Sequence, residues 1–184
     1  ALTAEALNGI TDAYDERIFS KAIAIVIHMH YSDSFDRYKK YIDNIPPEIK
    51  VFFTTSNDEL KNRIQVYIEH RDNCRIIEKN NRGRDISSFL VACREEILKY
   101  EYVCFIHDKK EKSQALKSDT DKWLYSQWEN ILGSYKYLGN IISYFEKNAE
   151  VGLLLPPIPL GERISFAYGD NWGRNFENTV NLAK

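Results

Sequence analysis

Four polar runs carry the residue types that could do chemistry, and each directly follows a short apolar stretch. The first is His28-Met29-His30-Tyr31, two imidazoles and a phenol able to stack on a nucleobase and hydrogen-bond its edge, or simply to satisfy local backbone. His28 and His30 alternate sides on an extended segment, so a shared metal needs a third ligand that the neighbouring sequence lacks. In the second run, Thr54-Thr55-Ser56, hydroxyls sit where a helix is about to start, a place that attracts anions but equally suits Ser56 as a helix cap.

The third run, Asn80-Asn81-Arg82-Gly83-Arg84-Asp85, is the densest. Arg82 and Arg84 can grip pyrophosphate oxygens in bidentate fashion, Gly83 permits a tight turn, and Asp85 can cap the next helix or accept from a base or ribose. A solvated turn is the plain alternative. The fourth, His107-Asp108-Lys109-Lys110, places an acid ahead of two lysines, a set that could steady a diphosphate leaving group with or without a divalent metal (Mg2+ or Mn2+) on Asp108.

The stretches before these runs read as strands. Residues 22–28 are almost continuously apolar and rich in isoleucine and valine, as a strand covered on both faces requires. Residues 51–55, 74–77 and 102–106 repeat the pattern, and 151–155 form a fifth apolar run stopped by Pro156-Pro157. Between them lie helical periodicities. Residues 32–45 carry Phe35, Tyr38, Tyr41, Ile42 and Ile45 before Pro46; a capping box at Ser56 to Glu59 opens a helix bearing Leu60, Ile64, Tyr67 and Ile68; and Ile86, Phe89, Leu90, Cys93 and Ile97 mark another.

Two further helices are expected over residues 120–132 and 137–147. Leu7, Ile10, Tyr14 and Ile18 suggest an N-terminal helical extension over 1–20, outside a domain spanning 21–184. Alternating strands and helices predict an α/β chain: a Rossmann-like, doubly wound, mainly parallel sheet of about five strands with helices on both faces. In that class ligands sit at the carboxyl ends of strands, which is where all four polar runs fall.

Composition narrows the function classes. A net charge of −2 and a pI near 6.1 across 184 residues give no basic field for nucleic acid. Cys74, Cys93 and Cys104 are odd in number, lack CxxC spacing and sit in apolar runs, which fits a reducing, cytoplasmic setting. No apolar run approaches the roughly 20 residues that a membrane-spanning helix needs, and residues 1–16 lack the basic-then-apolar order of a signal peptide.

Taken together, His-x-His-Tyr at 28–31, Asn-Arg-Gly-Arg-Asp-Ile at 81–86 and His-x-Lys-Lys at 107–110 resemble the rhamnan synthesis protein F family. Trp123, Trp128, Leu153 to Pro157 and Asn171-Trp172-Gly173 extend the likeness over most of the chain after Lys21. The resemblance implies a GT-A-type glycosyltransferase of rhamnose-containing polysaccharide or lipopolysaccharide synthesis, using a nucleoside diphosphate sugar such as dTDP-L-rhamnose and a glycan or lipid-linked glycan acceptor. It implies a location in the cytoplasm, at the inner face of the bacterial membrane, with peripheral contact through the acceptor.

Carried over residue by residue, the resemblance sets His28, His30 and Tyr31 near the nucleoside, Arg82, Arg84 and Asp85 beside the donor, and His107, Asp108 and Lys109 where GT-A enzymes keep a metal-binding acidic motif. That motif usually has two aspartates, whereas here one acid precedes two lysines, so cationic side chains replace or supplement a metal. The resemblance also leads one to expect an acceptor-side region beyond Lys184, and no catalytic base is assigned. Two rival readings are a noncatalytic nucleotide-sugar-binding or scaffolding module of a polysaccharide assembly system, and a phosphatase-like α/β enzyme. The latter lacks a nucleophile at the end of the first strand.

Overall fold

The computed structural model describes residues 16–110, 117–156 and 181. Four strands, β1 (Ile23–His28), β2 (Lys50–Thr55), β3 (Cys74–Glu78) and β4 (Tyr102–His107), form a sheet of order β3-β2-β1-β4 in which every pair is parallel. Helices alternate with them: α1 (Phe35–Ile42), α2 (Asp58–Tyr67), α3 (Arg84–Ser87) and α4 (Arg94–Ile97), then α5 (Lys117–Leu132) and α6 (Tyr135–Lys147). This is the α/β, Rossmann-like arrangement expected from the strand–helix alternation, with four ladder strands among the described residues instead of about five.

The strand expected at 151–155 is the difference. Residues 151–156 carry no ladder, and Leu153, Leu154 and Leu155 are all exposed. An apolar run bounded by proline satisfies the sequence signature of a buried strand, but ladder pairing is a tertiary event that the signature does not contain. Of the expected N-terminal extension, only a 3-10 turn at Glu16–Ser20 lies within the described residues; Leu7, Ile10, Tyr14 and the segment from Ile164 through Asn171-Trp172-Gly173 lie outside them.

β1 is central and buried along its whole length. Its side chains alternate between two cores. Ile23, Ile25 and Ile27 face the larger one, with α1, α2, α5 and α6 contributing Phe35, Ile64, Trp128 and Leu138. Trp128 is fully buried and stacks on Tyr38 with ring centroids 4.2 Å apart, an aromatic contact worth about 0.5–1.5 kcal/mol beyond area burial. Ala24 and Val26 face the other core, with Phe52, Phe89, Cys93 and Ile97.

This division follows from topology. The chain moves outward from β1 to β2 to β3 with helices on one side, then reverses past β1 to β4, and a right-handed crossover in the reverse direction puts its helix on the opposite face. That crossover is not a continuous α-helix. Residues Ser88–Ala92 form a π turn, with Cys93 N–H donating to the Ser88 carbonyl at 3.0 Å. The wider turn brings Ser88 and Cys93, five residues apart, onto the sheet side, where both are fully buried. Ile86 and Leu90, expected on the buried stripe, are therefore turned outward and exposed, because an insertion in the helix shifts the phase of the 3.6-residue pattern.

Two caps also differ from expectation. Asn57, not Ser56, caps α2, its side chain accepting from Leu60 N–H at 3.1 Å. Glu59, in place of closing a capping box, accepts from the Ser32 hydroxyl at 3.3 Å. Before α3 the capping position is Gly83, so Asp85 lies inside the first turn and is free to reach elsewhere.

Candidate functional site

The chain steps from β1 to β2 and β3 on one side of β1 and returns to β4 on the other, so the strand order reverses between β1 and β4 and their carboxyl ends flank the topological switch point of the sheet. His28 and His107 are partners in register at that rim. Both side chains project to the smaller-core side, but their surroundings differ.

His28 is interior. Its Nδ1 stands 2.9 Å from the hydroxyls of both Thr54 and Ser88, tying β1 to β2 and to the crossover helix. Burial, helped by the nearby Lys79 charge, pushes the imidazole down to about 4, so the ring is neutral at pH 7. Thr54 is fully buried beside it, and Thr55, nearly as buried, accepts from Asn57 N–H at 3.1 Å. The hydroxyls of Thr54 and Thr55 thus serve the rim's own architecture, and His28 offers no face for stacking.

His30 and Tyr31 are half-buried, with their rings edge to face at 5.1 Å. Asp108 fixes their backbone. Its carboxylate accepts from His30 N–H at 3.0 and 3.1 Å, from Tyr31 N–H at 2.9 Å and from the Ser34 hydroxyl at 3.0 Å. In return Asp108 N–H donates to the His28 carbonyl at 3.0 Å, so the loops after β1 and β4 are stapled from both sides. Asp108 is only 6% exposed, and that burial holds its carboxyl above the ordinary range in spite of these donors.

The run at 80–85 is a tight turn built by its own side chains. Asn80 accepts from Arg82 N–H at 3.0 Å, and the Ser87 hydroxyl donates to the carbonyls of Arg82 at 2.6 Å and Arg84 at 2.9 Å. Gly83 has φ +74°, and a Cβ there would meet Ser87 Cβ at 2.6 Å, so two independent constraints demand glycine. Arg84 has φ +49°, a left-handed conformation that an arginine adopts at a cost of about 1–2 kcal/mol. Asn81, Arg82 and Arg84 are exposed, and among the described residues neither guanidinium has an ion-pair partner.

From this turn a chain of contacts crosses the rim. Asp85 Oδ2 lies 3.6 Å from His107 Nε2, while His107 Nδ1 is held 2.9 Å from the Asp108 carbonyl. The His107 ring lies 6.1 Å from that of Trp123, and Lys109 Nζ sits 5.5 Å over the Trp123 ring. Lys110 completes the set by pairing with Asp33 at 2.5 Å.

Beyond Lys109 and Lys110 opens a cleft of about 280 Å³ between the loop after β1 and the start of α5, lined among others by Ser34, Arg37, Lys109, Lys110, Lys117 and Asp121. A shallower groove of about 610 Å³ continues past Arg37 and Lys117 to Lys122 and Tyr125. Of the predicted residues, Lys109 and Lys110 line the cleft, while His30, Tyr31 and Asp108 belong to the two stapled loops from which its Ser34 and Lys109 walls extend. Asp85 and His107 connect this group to the turn bearing Asn81, Arg82, Gly83 and Arg84, which does not line the cleft.

Sequence reasoning missed Arg37 and Lys117 as cleft cations, Ser88 as the partner of His28, and Lys79. The Lys79 ammonium is closed off from solvent with no hydrogen-bond partner among the described residues, and burial lowers its pKa. Lys79 follows a strand and precedes the densest polar run, which was a usable signal; Arg37 and Lys117 sit on helical surfaces, where charge carries no signal of its own.

Among the described residues no three of His, Cys, Asp or Glu gather as a metal-holding group, and no helix is long and apolar enough to cross a membrane. No curated protein and no solved structure matches the chain. A family model does: rhamnan synthesis protein F, over residues 5–184. The chain belongs to the rhamnan synthesis protein F family, and its role lies in rhamnan synthesis.

Proposed function

We propose that this member of a rhamnan synthesis family binds a nucleoside diphosphate sugar, such as dTDP-L-rhamnose, at the switch-point rim and acts as a glycosyltransferase. The observation that carries the reading is the cleft between the loops after β1 and β4, bordered by Arg37, Lys109, Lys110 and Lys117. Two of these cations are already paired, Arg37 with Asp121 at 2.8 Å and Lys110 with Asp33 at 2.5 Å, but both pairs are exposed and inexpensive to open. Lys109 and Lys117 have no ion pair among the described residues.

In this reading the diphosphate lies against the lysines, with His30 and Tyr31 offering an aromatic edge to the base. Arg82 and Arg84 reach in from their exposed turn, and Asp85 steadies His107 beside them. As the glycosidic bond breaks, negative charge grows on the departing diphosphate, and cations fixed in advance stabilise that charge without reorganising. The acceptor is a glycan or lipid-linked glycan, met in the cytoplasm at the inner face of the membrane.

A thermal-shift panel tests the reading, because a ligand that binds only the folded chain raises its Tm. dTDP-L-rhamnose, dTDP, UDP-glucose and inorganic phosphate are compared. A rise with the nucleotides beyond that with phosphate is expected, diminished in Lys109→Ala; no rise with any nucleotide overturns it. Release of rhamnose onto a glycan acceptor then separates a transferase from a binding module.

A further inference from the structure

Asp108 occupies the position where the family resemblance would put a metal-binding acid, yet its carboxylate is already in use. Three donors share it: His30 N–H, bonded to both oxygens, and Tyr31 N–H and the Ser34 hydroxyl, both on Oδ2. Oδ2 takes all three donors and Oδ1 only a share of the His30 N–H, so a divalent cation would be left a single site on Oδ1, against the positive ends of the N–H and O–H dipoles already gathered there. With Asp108 6% exposed, followed by Lys109 and Lys110, and no group of three His, Cys, Asp or Glu among the described residues, this set does not fit a divalent metal.

A different task fits every contact. The carboxylate gathers the first free amides after β1, as a capping acid gathers the first amides of a helix, and so sets the direction in which His30 and Tyr31 leave the sheet. Ser34 sits between the carboxylate and Tyr31, its single hydroxyl proton shared between Asp108 Oδ2 at 3.0 Å and the Tyr31 carbonyl at 2.8 Å. The loop so fixed forms one wall of the cleft that Lys109 and Lys110 border.

We infer that Asp108 is a positioning residue that holds the His30–Tyr31 backbone, and that the cleft beside it takes a diphosphate without a divalent metal, the lysine ammoniums supplying the charge. The second half rests on the nucleoside diphosphate reading given above; the first half stands on its own. Lys109 and Lys110 then do by charge alone what a bound metal would do by coordination.

Two measurements on the wild-type chain test the two halves. Amide hydrogen exchange by NMR reads the clamp: slow exchange at His30 and Tyr31 is expected, lost at those two positions in Asp108→Asn while β1 stays protected. Fast exchange at both amides in the wild type overturns the positioning role. Calorimetry of dTDP in EDTA and in Mn2+ reads the metal: affinities within about twofold are expected, together with an undiminished Mn2+ resonance when the chain is added without nucleotide. A tenfold or greater loss of dTDP affinity in EDTA, or stoichiometric Mn2+ uptake by the chain alone, overturns the metal-free assignment. If dTDP binds in neither buffer, the nucleotide reading falls and takes the diphosphate half with it, while amide exchange still decides what Asp108 does.

Discussion

Asp85 Oδ2 and His107 Nε2 stand 3.6 Å apart, joining the turn after β3 to the end of β4 across two intervening strands. Because both side chains are about one-third exposed or less, solvent still screens the pair, and its direct worth is below about 1 kcal/mol. A double-mutant cycle with Asp85→Asn and His107→Gln, followed by urea denaturation, is expected to give a coupling in that range. A coupling above 2 kcal/mol means that the pair is a major support of the fold and not a rim contact.

The His28 imidazole predicts a pH dependence of stability. Its pKa falls from 6.5 to about 4 on folding, so between those values the unfolded chain binds a proton that the folded chain refuses. The contribution is whole above pH 6.5 and drains away as pH falls toward 4, reaching on the order of 3 kcal/mol. Asp108, raised from 3.8, works in the opposite sense, its contribution present below pH 3.8 and declining as pH rises above it. Urea midpoints of the wild type should drop between pH 7 and 4.5, and His28→Gln should flatten that slope. An unchanged slope in the variant removes His28 as its cause.

Gly83 and Arg84 occupy adjacent left-handed positions but predict opposite outcomes. Gly83→Ala meets both an unfavourable φ and the Ser87 side chain, and should cost about 1–3 kcal/mol. Arg84→Gly relieves a strained φ, so stability should hold within about 1 kcal/mol of wild type. Its affinity for dTDP should nevertheless fall by about 1.5–3 kcal/mol, the scale of a charged hydrogen bond. Unchanged affinity by calorimetry takes Arg84 out of the ligand's reach.

Trp128 anchors the larger core against Tyr38. Trp128→Ala should cost about 3–5 kcal/mol in urea denaturation, whereas Trp128→Phe should cost less, since the indole N–H has no partner among the described residues. Equal losses for the two variants would point to a polar role for the indole.

The four ladder strands were legible because each is a short apolar run flanked by turn signals, and the central place of β1 followed from its unbroken hydrophobicity. The placement of polar runs at strand ends was likewise readable, as was the need for Gly83 in its turn. What Asp108 does was not. An acid after a strand has the same sequence signature whether it faces a ligand or the chain's own amides, and only the path of residues 29–34 decides between them. His28 reads the same way: an imidazole ending an apolar strand suggests a ligand until Thr54 and Ser88, 26 and 60 residues away in sequence, are seen to meet it.

The π turn at Ser88–Ala92 amounts to one residue too many for an α-helix. Deleting a single residue there would rewind the segment and rotate all that follows by about 100° relative to what precedes it. Ser88 and Cys93 could then no longer both meet the sheet, and either the His28 hydroxyl partner or the packing over Val26 would be forfeited. Chain length between β3 and β4 is thus a specified quantity: this connector tolerates exchange of its outward side chains far better than a change in their number.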